Sequence, residues 1–189
     1  VDGQWRIALL EEIDQIIDTF NAMLELSRLE KGVQQSAFDS VNIETLCHDV
    51  IDLATPLAEE KNQKLTLNVK TDNTLALSTV RGEPNLLFRA IFNIVDNAIK
   101  YTQAEGSISL TCHISTQRTE IVVCDDGPGI SEEYHEAVFQ RLYRLDSSRQ
   151  GDGFGLGLPI VKAIIELHGG SISMSSSHPG LTVSITLDQ

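Results

Sequence analysis

The sequence predicts an α+β fold: a mixed, mostly antiparallel sheet with helices on one face, preceded by one long amphipathic helix. Three observations carry that reading. Residues 5 to 31 repeat apolar side chains at helical spacing. Several later segments alternate apolar and polar residues at strand length. Those strands come in pairs joined by short polar turns, not in the strict strand–helix alternation of a doubly wound fold.

The elements follow in order. In the first helix Leu10, Ile13, Ile17, Phe20 and Leu24 keep a 3-4 spacing, and Leu9, Ile16 and Met23 widen the stripe. Acidic Glu11, Glu12, Asp14 and Asp18 occupy its first half, and Arg28, Lys31 and Gly32 close it, as the helix dipole and C-cap preferences favour. So wide an apolar face calls for a helical bundle. Val33 to Asn42 turns to Gln, Ser and Asp and reads as a linker or short strand. Ile43 to Lys61 reads as a helix with Leu46, Val50, Leu53, Leu57 and Ala58 on one side. KLTLNV (Lys64 to Val69) and TLALSTV (Thr74 to Val80) read as strands. Pro84 opens a helix through Lys100, at a position where its missing N–H would be unbonded in any case. Ser107 to Ser115 and Glu120 to Cys124 form strands around a polar turn at Thr116 to Thr119. A helix from about Leu158 to His168 and strands Ser171 to Ser175 and Leu181 to Leu187 complete the chain.

Composition narrows the function. A hydrophobic fraction of 41% supplies a core, while a net charge of −13 and a pI near 4.6 repel nucleic acid and anionic membranes. Any phosphate site must therefore be locally basic or made of backbone donors. Cys47, Cys112 and Cys124 are odd in number and far apart, which suits reduced core thiols, and the histidines form no metal-ligand pair. No apolar run reaches the roughly 18 residues of a membrane span. The opening VDGQWR lacks an initiator Met, so a fragment of a longer protein is expected.

The chemistry concentrates in four stretches. GDGFGLGLPIVKAIIELHGG, residues 151 to 170, runs glycines into a helix, as a phosphate cradle would. Its spacing fits neither the dinucleotide pattern nor a P-loop, and it lies too late for a protein-kinase glycine loop. Asp125-Asp126-Gly127-Pro128-Gly129-Ile130 follows directly from the apolar strand IVVC. A carboxylate there can accept from an exocyclic amine, although the stretch alone also reads as a tight turn. Asn93, Asn97 and Lys100 share one helix face, and Asn is a poor interior helix residue without a reason to be there. Arg141, Arg144 and Arg149 gather positive charge just ahead of the glycines, although pairing with Glu132, Glu133 and Glu136 would also employ them.

Taken in order, Asn-x-x-x-Asn-Ala-x-Lys-Tyr at Asn93–Tyr101, Asp-x-Gly-x-Gly-Ile at Asp125–Ile130, Phe-x-x-Leu-Tyr-Arg at Phe139–Arg144 and Gly-x-Gly-Leu-Gly-Leu at Gly153–Leu158 resemble the catalytic, ATP-binding domain of bacterial sensor histidine kinases. The resemblance covers essentially the whole chain. Residues 1–32, ending LSRLEKG, look like the second helix of that family's dimerisation bundle, and residues 33–189 like its ATP-binding domain.

The resemblance implies the Bergerat-type α/β sandwich shared with gyrase-type ATPases, with ATP and Mg²⁺ as ligands. By similarity Asp125 would hold the adenine amino group, with Gly127, Gly129 and Ile130 shaping the approach. Asn97 would coordinate Mg²⁺ with Asn93 beside it. Lys100 and Tyr101 would lie near the phosphates, and Arg144, Gly153, Gly155, Leu156, Gly157, Leu158 and Thr182 would complete the mouth. Related ATPases carry a water-activating Glu where this chain has Asn93, which cannot take a proton from water, so slow hydrolysis and transfer to a His are implied. The expected relay is from that His to an Asp of a response-regulator receiver domain. A homodimer through the helical bundle and anchorage at the cytoplasmic side of a bacterial inner membrane are implied for the full-length protein. A gyrase- or chaperone-like ATPase and a non-enzymatic nucleotide-binding module are the rival readings.

Three departures from the family pattern stand out. His48-Asp49 imitates the phosphoacceptor but is followed by Val50-Ile51 and lies after the bundle helix; His113, His135, His168 and His178 match it no better, so the acceptor helix is expected outside this chain. Leu142 replaces a usual Phe. The last glycine box shrinks to Gly180-Leu181-Thr182.

Overall fold

The computed structural model describes residues 13, 16–17, 19–29, 38–72, 79–144, 155–177 and 179–189. Residues 19–29 are helical and are followed by β1 (Asp39–Asn42), α1 (Ile43–Glu59), β2 (Lys64–Thr71), β3 (Thr79–Gly82) and α2 (Pro84–Tyr101). Then come β4 (Ser107–Ile114), β5 (Arg118–Asp125), α3 (Gly157–Leu167), β6 (Ser171–Ser176) and β7 (Leu181–Asp188). Short 3₁₀ turns at Glu132–Tyr134 and Ala137–Phe139 lie between β5 and α3.

The main sheet has the order β2-β4-β5-β7-β6, with β2 and β4 parallel and every other pair antiparallel. Strand alternation builds its two faces. On β4, Ile108, Leu110, Cys112 and Ile114 are buried; Ile121 and Val123 on β5 and Val183, Ile185 and Leu187 on β7 continue that layer. The helices pack on this face, and each buried Leu or Ile contributes about 1.5–3 kcal/mol. This is the mixed α/β sandwich with helices on one side that the sequence predicts. β1 and β3 form a separate antiparallel ribbon, so the strand expected at Thr74 to Val80 is realised at Thr79–Gly82 and outside the main sheet; residues 74–78 lie outside the described residues.

Local chemistry sets the element ends. Asn42 Oδ1 accepts the Thr45 N–H at 2.9 Å and starts α1. The Glu83 carboxylate accepts the N–H groups of Asn85 and Leu86 and starts α2, with Pro84 in its first turn. At the other end of α2, Lys61 Nζ donates to the carbonyls of Ile99 and Lys100, and Gln63 Nε2 donates to those of Ile99, Thr102 and Gln103. Those bonds satisfy helix-end acceptors that would otherwise be unpaired and fix the turn carrying Lys100 and Tyr101.

Several expectations need correction. The buried stripe of α1 is Ile43, Leu46, Cys47, Val50, Ala54 and Ala58, whereas Leu53 and Leu57 are exposed; at 100° per residue Leu53 falls on the edge of the stripe, and Leu57 lies within it in the last turn of the helix. The turn expected at Thr116 to Thr119 sits earlier. Ser115 Oγ accepts the N–H groups of Gln117 and Arg118, which closes the turn before the fully buried Thr119. In the leading helix Leu26 and Leu29 are buried, while Ile13, Ile16, Ile17, Phe20, Met23 and Leu24 are exposed. The periodic stripe is therefore turned away from the sandwich, and the opposite side of the helix docks, aided by an ion pair between Glu25 and Arg89. Cys47 and Cys112 are free, buried and hydrogen-bonded to each other, which with burial keeps the Cys47 thiol protonated well above its ordinary range; Cys124 is free and half-buried.

Candidate functional site

One face of α2 and the end of β5 meet across a cavity of about 440 Å³, within the size range of small-molecule sites. Asn93, Asp96, Asn97, Lys100 and Tyr101 line it from α2. The i, i+3, i+4 and i+7 spacing puts the first four on one side of the helix, opposite the buried stripe of Leu87, Ala90, Ile91 and Val95. Asp125, Pro128, Gly129 and Ile130 form the facing wall, and Met174, Leu181 and Val183 form an apolar floor. Tyr143, Arg144, Gly155, Gly157 and Leu158 close the remaining side.

The two neighbouring aspartates have separate roles. Asp126 accepts the Ser107 N–H with both carboxylate oxygens, at 2.9 Å each, and so ties the loop to the start of β4. Asp125 Oδ1 accepts from the backbone of Gly127 at 2.9 Å and of Leu181 at 3.3 Å. Among the described residues Oδ2 takes no hydrogen bond, so it is available to an amine donor in the cavity. Burial pushes the Asp125 carboxyl above the usual carboxylate range, helped by the Asp126 charge, and the two backbone donors partly offset this.

Close backbone crossings hold the wall. Gly180 has φ +107°, and a Cβ there would lie 1.8 Å from the Asp125 carbonyl oxygen; one on Gly129, at φ +69°, would lie 2.7 Å from the Gly180 oxygen. Only glycine permits both the left-handed backbone and the contact.

Eleven of the expected site residues thus line one cavity: Asn93, Asn97, Lys100, Tyr101, Asp125, Gly129, Ile130, Arg144, Gly155, Gly157 and Leu158. Gly127 acts through its N–H on Asp125 and is not itself in the lining. Leu156 is buried at the start of α3 and contributes no lining atom. Thr182 does not line the cavity. Strand pleating directs its neighbours Leu181 and Val183 inward and sends Thr182 to the opposite face, beside Cys124 and Ser175 in the register. Gly153 lies outside the described residues.

The lining also holds residues that the sequence did not assign to the site, and four of them illustrate why. Asp96 carries a usable signal, three residues after Asn93 on the same face. Met174 is marked only by the alternation of β6, and Tyr143 by its place before Arg144. Leu181 acts through a backbone N–H, which no side-chain pattern reveals. None of the described histidines lines the cavity: His48 is exposed on α1, His113 pairs with Asp72 at 3.2 Å, and His135 bonds the carbonyl of the lining residue Ile130; His178 lies outside the described residues. His168 donates from Nδ1 to the Ile164 carbonyl and accepts the Glu83 N–H at Nε2, with its ring stacked on Phe38 at 4.7 Å.

A second cleft of about 580 Å³ separates the leading helix from α3, between Leu26 and Leu29 on one side and Lys162, Ala163 and Glu166 on the other. Pro159 lines both this cleft and the α2–β5 cavity.

A deep cavity between an asparagine-bearing helix and an aspartate at a strand end, on a mostly antiparallel sheet, defines a class of ATP-binding proteins. The histidine kinase-, DNA gyrase B- and HSP90-like ATPases match residues 82–189, and the chain belongs to this family. Within it the likeness is to sensor kinases. The sensor protein kinase PmrB of Pseudomonas aeruginosa is 34% identical over 168 residues, 89% of this chain and 34% of PmrB, so the chain spans about a third of that relative's length. The catalytic domain of histidine kinase ThkA superposes with TM-score 0.69 at 26% identity, over 80% of this chain and 97% of that domain. Full-length ShkA bound to AMPPNP superposes with TM-score 0.78 at 26% identity, over 99% of this chain and 39% of ShkA. ThkA has also been solved with its response regulator TrrA, and that structure shares the fold at TM-score 0.75 and 22% identity.

Proposed function

We propose that this chain is the ATP-binding catalytic part of a sensor histidine kinase, with residues 33–189 forming the catalytic domain and residues 1–32 the second helix of a dimerisation bundle. The observation that carries the reading is the meeting of Asn93, Asn97 and Lys100 with Asp125 across a single cavity. Asp125 Oδ2 would accept the adenine amino group, since Oδ1 is already held by backbone donors. Lys100, Arg144 and the N–H groups at the start of α3 would face the phosphates.

Asn93, Asn97 and Asp96 present hard oxygen donors on one side of the cavity, a set that suits Mg²⁺. Held by Asn97 with Asn93 beside it, Mg²⁺ would supply neutralising charge for the phosphates. The chain's own residues orient the nucleotide and screen the phosphoryl group. Asn93 offers no base for an attacking water, which favours transfer over hydrolysis.

The γ-phosphoryl would pass to a His outside the five of this sequence, then to an Asp of a response-regulator receiver domain; a response-regulator partner is supported by ThkA, which shares the fold and forms a complex with response regulator TrrA. The exposed stripe Ile13, Ile16, Ile17, Phe20, Met23 and Leu24 suits the core of a homodimeric bundle in the full-length protein. No helix among the described residues is long and apolar enough to cross a membrane. Anchorage at the cytoplasmic side of an inner membrane belongs to the full-length protein in this reading.

Incubation with γ-labelled ATP tests the proposal. The chain alone should take up no acid-labile label and should do so once joined to a His-bearing first bundle helix. Rapid ATP hydrolysis comparable to gyrase-type enzymes would overturn it.

A further inference from the structure

Resting on the nucleotide-site reading above, the geometry points to a positioning residue that the family comparison does not assign. Lys100 Nζ lies 2.7 Å from Asp96 Oδ2, and the two side chains are 48% and 25% exposed, so an entering ligand can reach both. An Asp–Lys pair four residues apart on an ordinary helix surface contributes only a few tenths of a kcal/mol. Here both residues line the cavity, Asp96 between Asn93 and Asn97 in the chain and Lys100 one turn beyond Asp96, and Gly155 and Gly157 belong to the same lining.

The charges decide what it can do there. A nucleotide triphosphate entering a chain of net charge −13 meets strong repulsion, and an unpaired carboxylate at the phosphate end would add to it. With Lys100 paired, that end of the cavity is locally neutral. When phosphates draw the Lys100 ammonium toward themselves, Asp96 loses its partner and is left as an unpaired carboxylate beside Asn93 and Asn97, a donor set that would suit a hard divalent cation carried in by the nucleotide.

We propose that Asp96 is a charge-exchange residue: it holds Lys100 in the empty cavity, releases it to the phosphates, and receives Mg²⁺, directly or through its water, in return. Asp96 thereby makes nucleotide binding depend on the metal. Metal-free ATP meets an uncompensated carboxylate and binds poorly, whereas Mg-ATP satisfies it.

The test is titration of the whole chain with ATP in excess Mg²⁺ and in chelator, and with adenosine, which lacks phosphates. Asp96→Asn should tighten metal-free ATP and weaken Mg-ATP by about three- to tenfold each, with adenosine affinity unchanged. Asp96→Ser should narrow the same ratio, so the outcome does not depend on how one variant folds. Lys100→Met should weaken both ATP forms together. If the Asp96 variants move both ATP affinities in parallel, or move neither, the exchange is wrong and the pair is only a helix-surface contact. If the unaltered chain binds neither adenosine nor ATP, the nucleotide site itself is refuted, and the exchange with it.

Discussion

Asp125 Oδ1 and the backbone N–H of Leu181 are joined at 3.3 Å across 56 residues of sequence, which ties the end of β5 to the start of β7 at the wall of the cavity. The carboxylate is thus oriented by main-chain donors that only a proline substitution would remove, and its second oxygen is directed by the first. Asp125→Asn keeps the shape but replaces one oxygen with a donor group. It should lower ATP and adenosine affinity by at least about tenfold, because a donor then faces the adenine amine. Calorimetric titration of both ligands checks this, and unchanged curves would remove Asp125 from the site.

Gly180→Ala should damage the same wall without touching its chemistry. The added Cβ meets the Asp125 carbonyl and the backbone is left-handed, so a loss of stability of about 1–3 kcal/mol is expected together with weaker adenosine binding. Thermal melts with and without adenosine measure both effects.

Acid should weaken nucleotide binding through Asp125. Burial raises its pKa, and only the ionised form accepts at both oxygens. Affinity should therefore fall as pH drops through a range above that of an ordinary carboxylate, and Asp125→Asn should lack this step. A pH series of adenosine titrations provides the comparison, since adenosine itself carries no phosphate to titrate.

His168 gives the fold itself a separate acid sensitivity. Burial holds its pKa below the ordinary value near 6.5, and its neutral form accepts the Glu83 N–H. The unfolded chain binds the proton more readily than the folded one, so stability is lost as pH falls below about 6.5. A buried imidazolium would also point a donor at the Glu83 donor. His168→Gln should flatten the decline in melting temperature between neutral and mildly acidic pH; an identical slope would assign the decline to other groups.

The leading helix should come loose before the sandwich unfolds. Its attachment rests on Leu26, Leu29 and a partly exposed Glu25–Arg89 pair, the last contributing at most about 1 kcal/mol. Arg89→Ala should raise amide exchange in residues 19–29 only slightly, and Leu26→Ala much more, with exchange in β4 and β5 unchanged in both.

Side-chain periodicity made most of this fold legible. The β4 and β5 alternation, the α2 stripe and the Pro84 start appear in sequence as they do in the structure, because burial on one face is a local pattern. The docking side of the leading helix was not legible. Its strongest apolar stripe, through Ile17, Phe20 and Leu24, is not the side that packs, and only the sandwich's own surface selects Leu26 and Leu29. At the site, Asn93, Asn97, Lys100 and Asp125 were legible because their side chains sit in motifs, whereas Met174 sits in an ordinary strand alternation that marks no site. Leu181 contributes an N–H, and Thr182 was misplaced by one step because strand register reverses the facing of adjacent residues. Asp96 was visible and unread, since its partner Lys100 already had a reason to be there.

Pro159, which lines both the nucleotide cavity and the cleft beneath the leading helix, joins two binding equilibria at a common wall. A proline ring has little rotamer freedom to absorb a change on one side without passing it to the other. Whatever nucleotide occupancy does to the seating of that helix, the seating must do in equal measure to nucleotide affinity, since the coupling free energy is a single quantity read from either end. Any change in how the leading helix is seated therefore has a direct route to the α2–β5 cavity through Pro159.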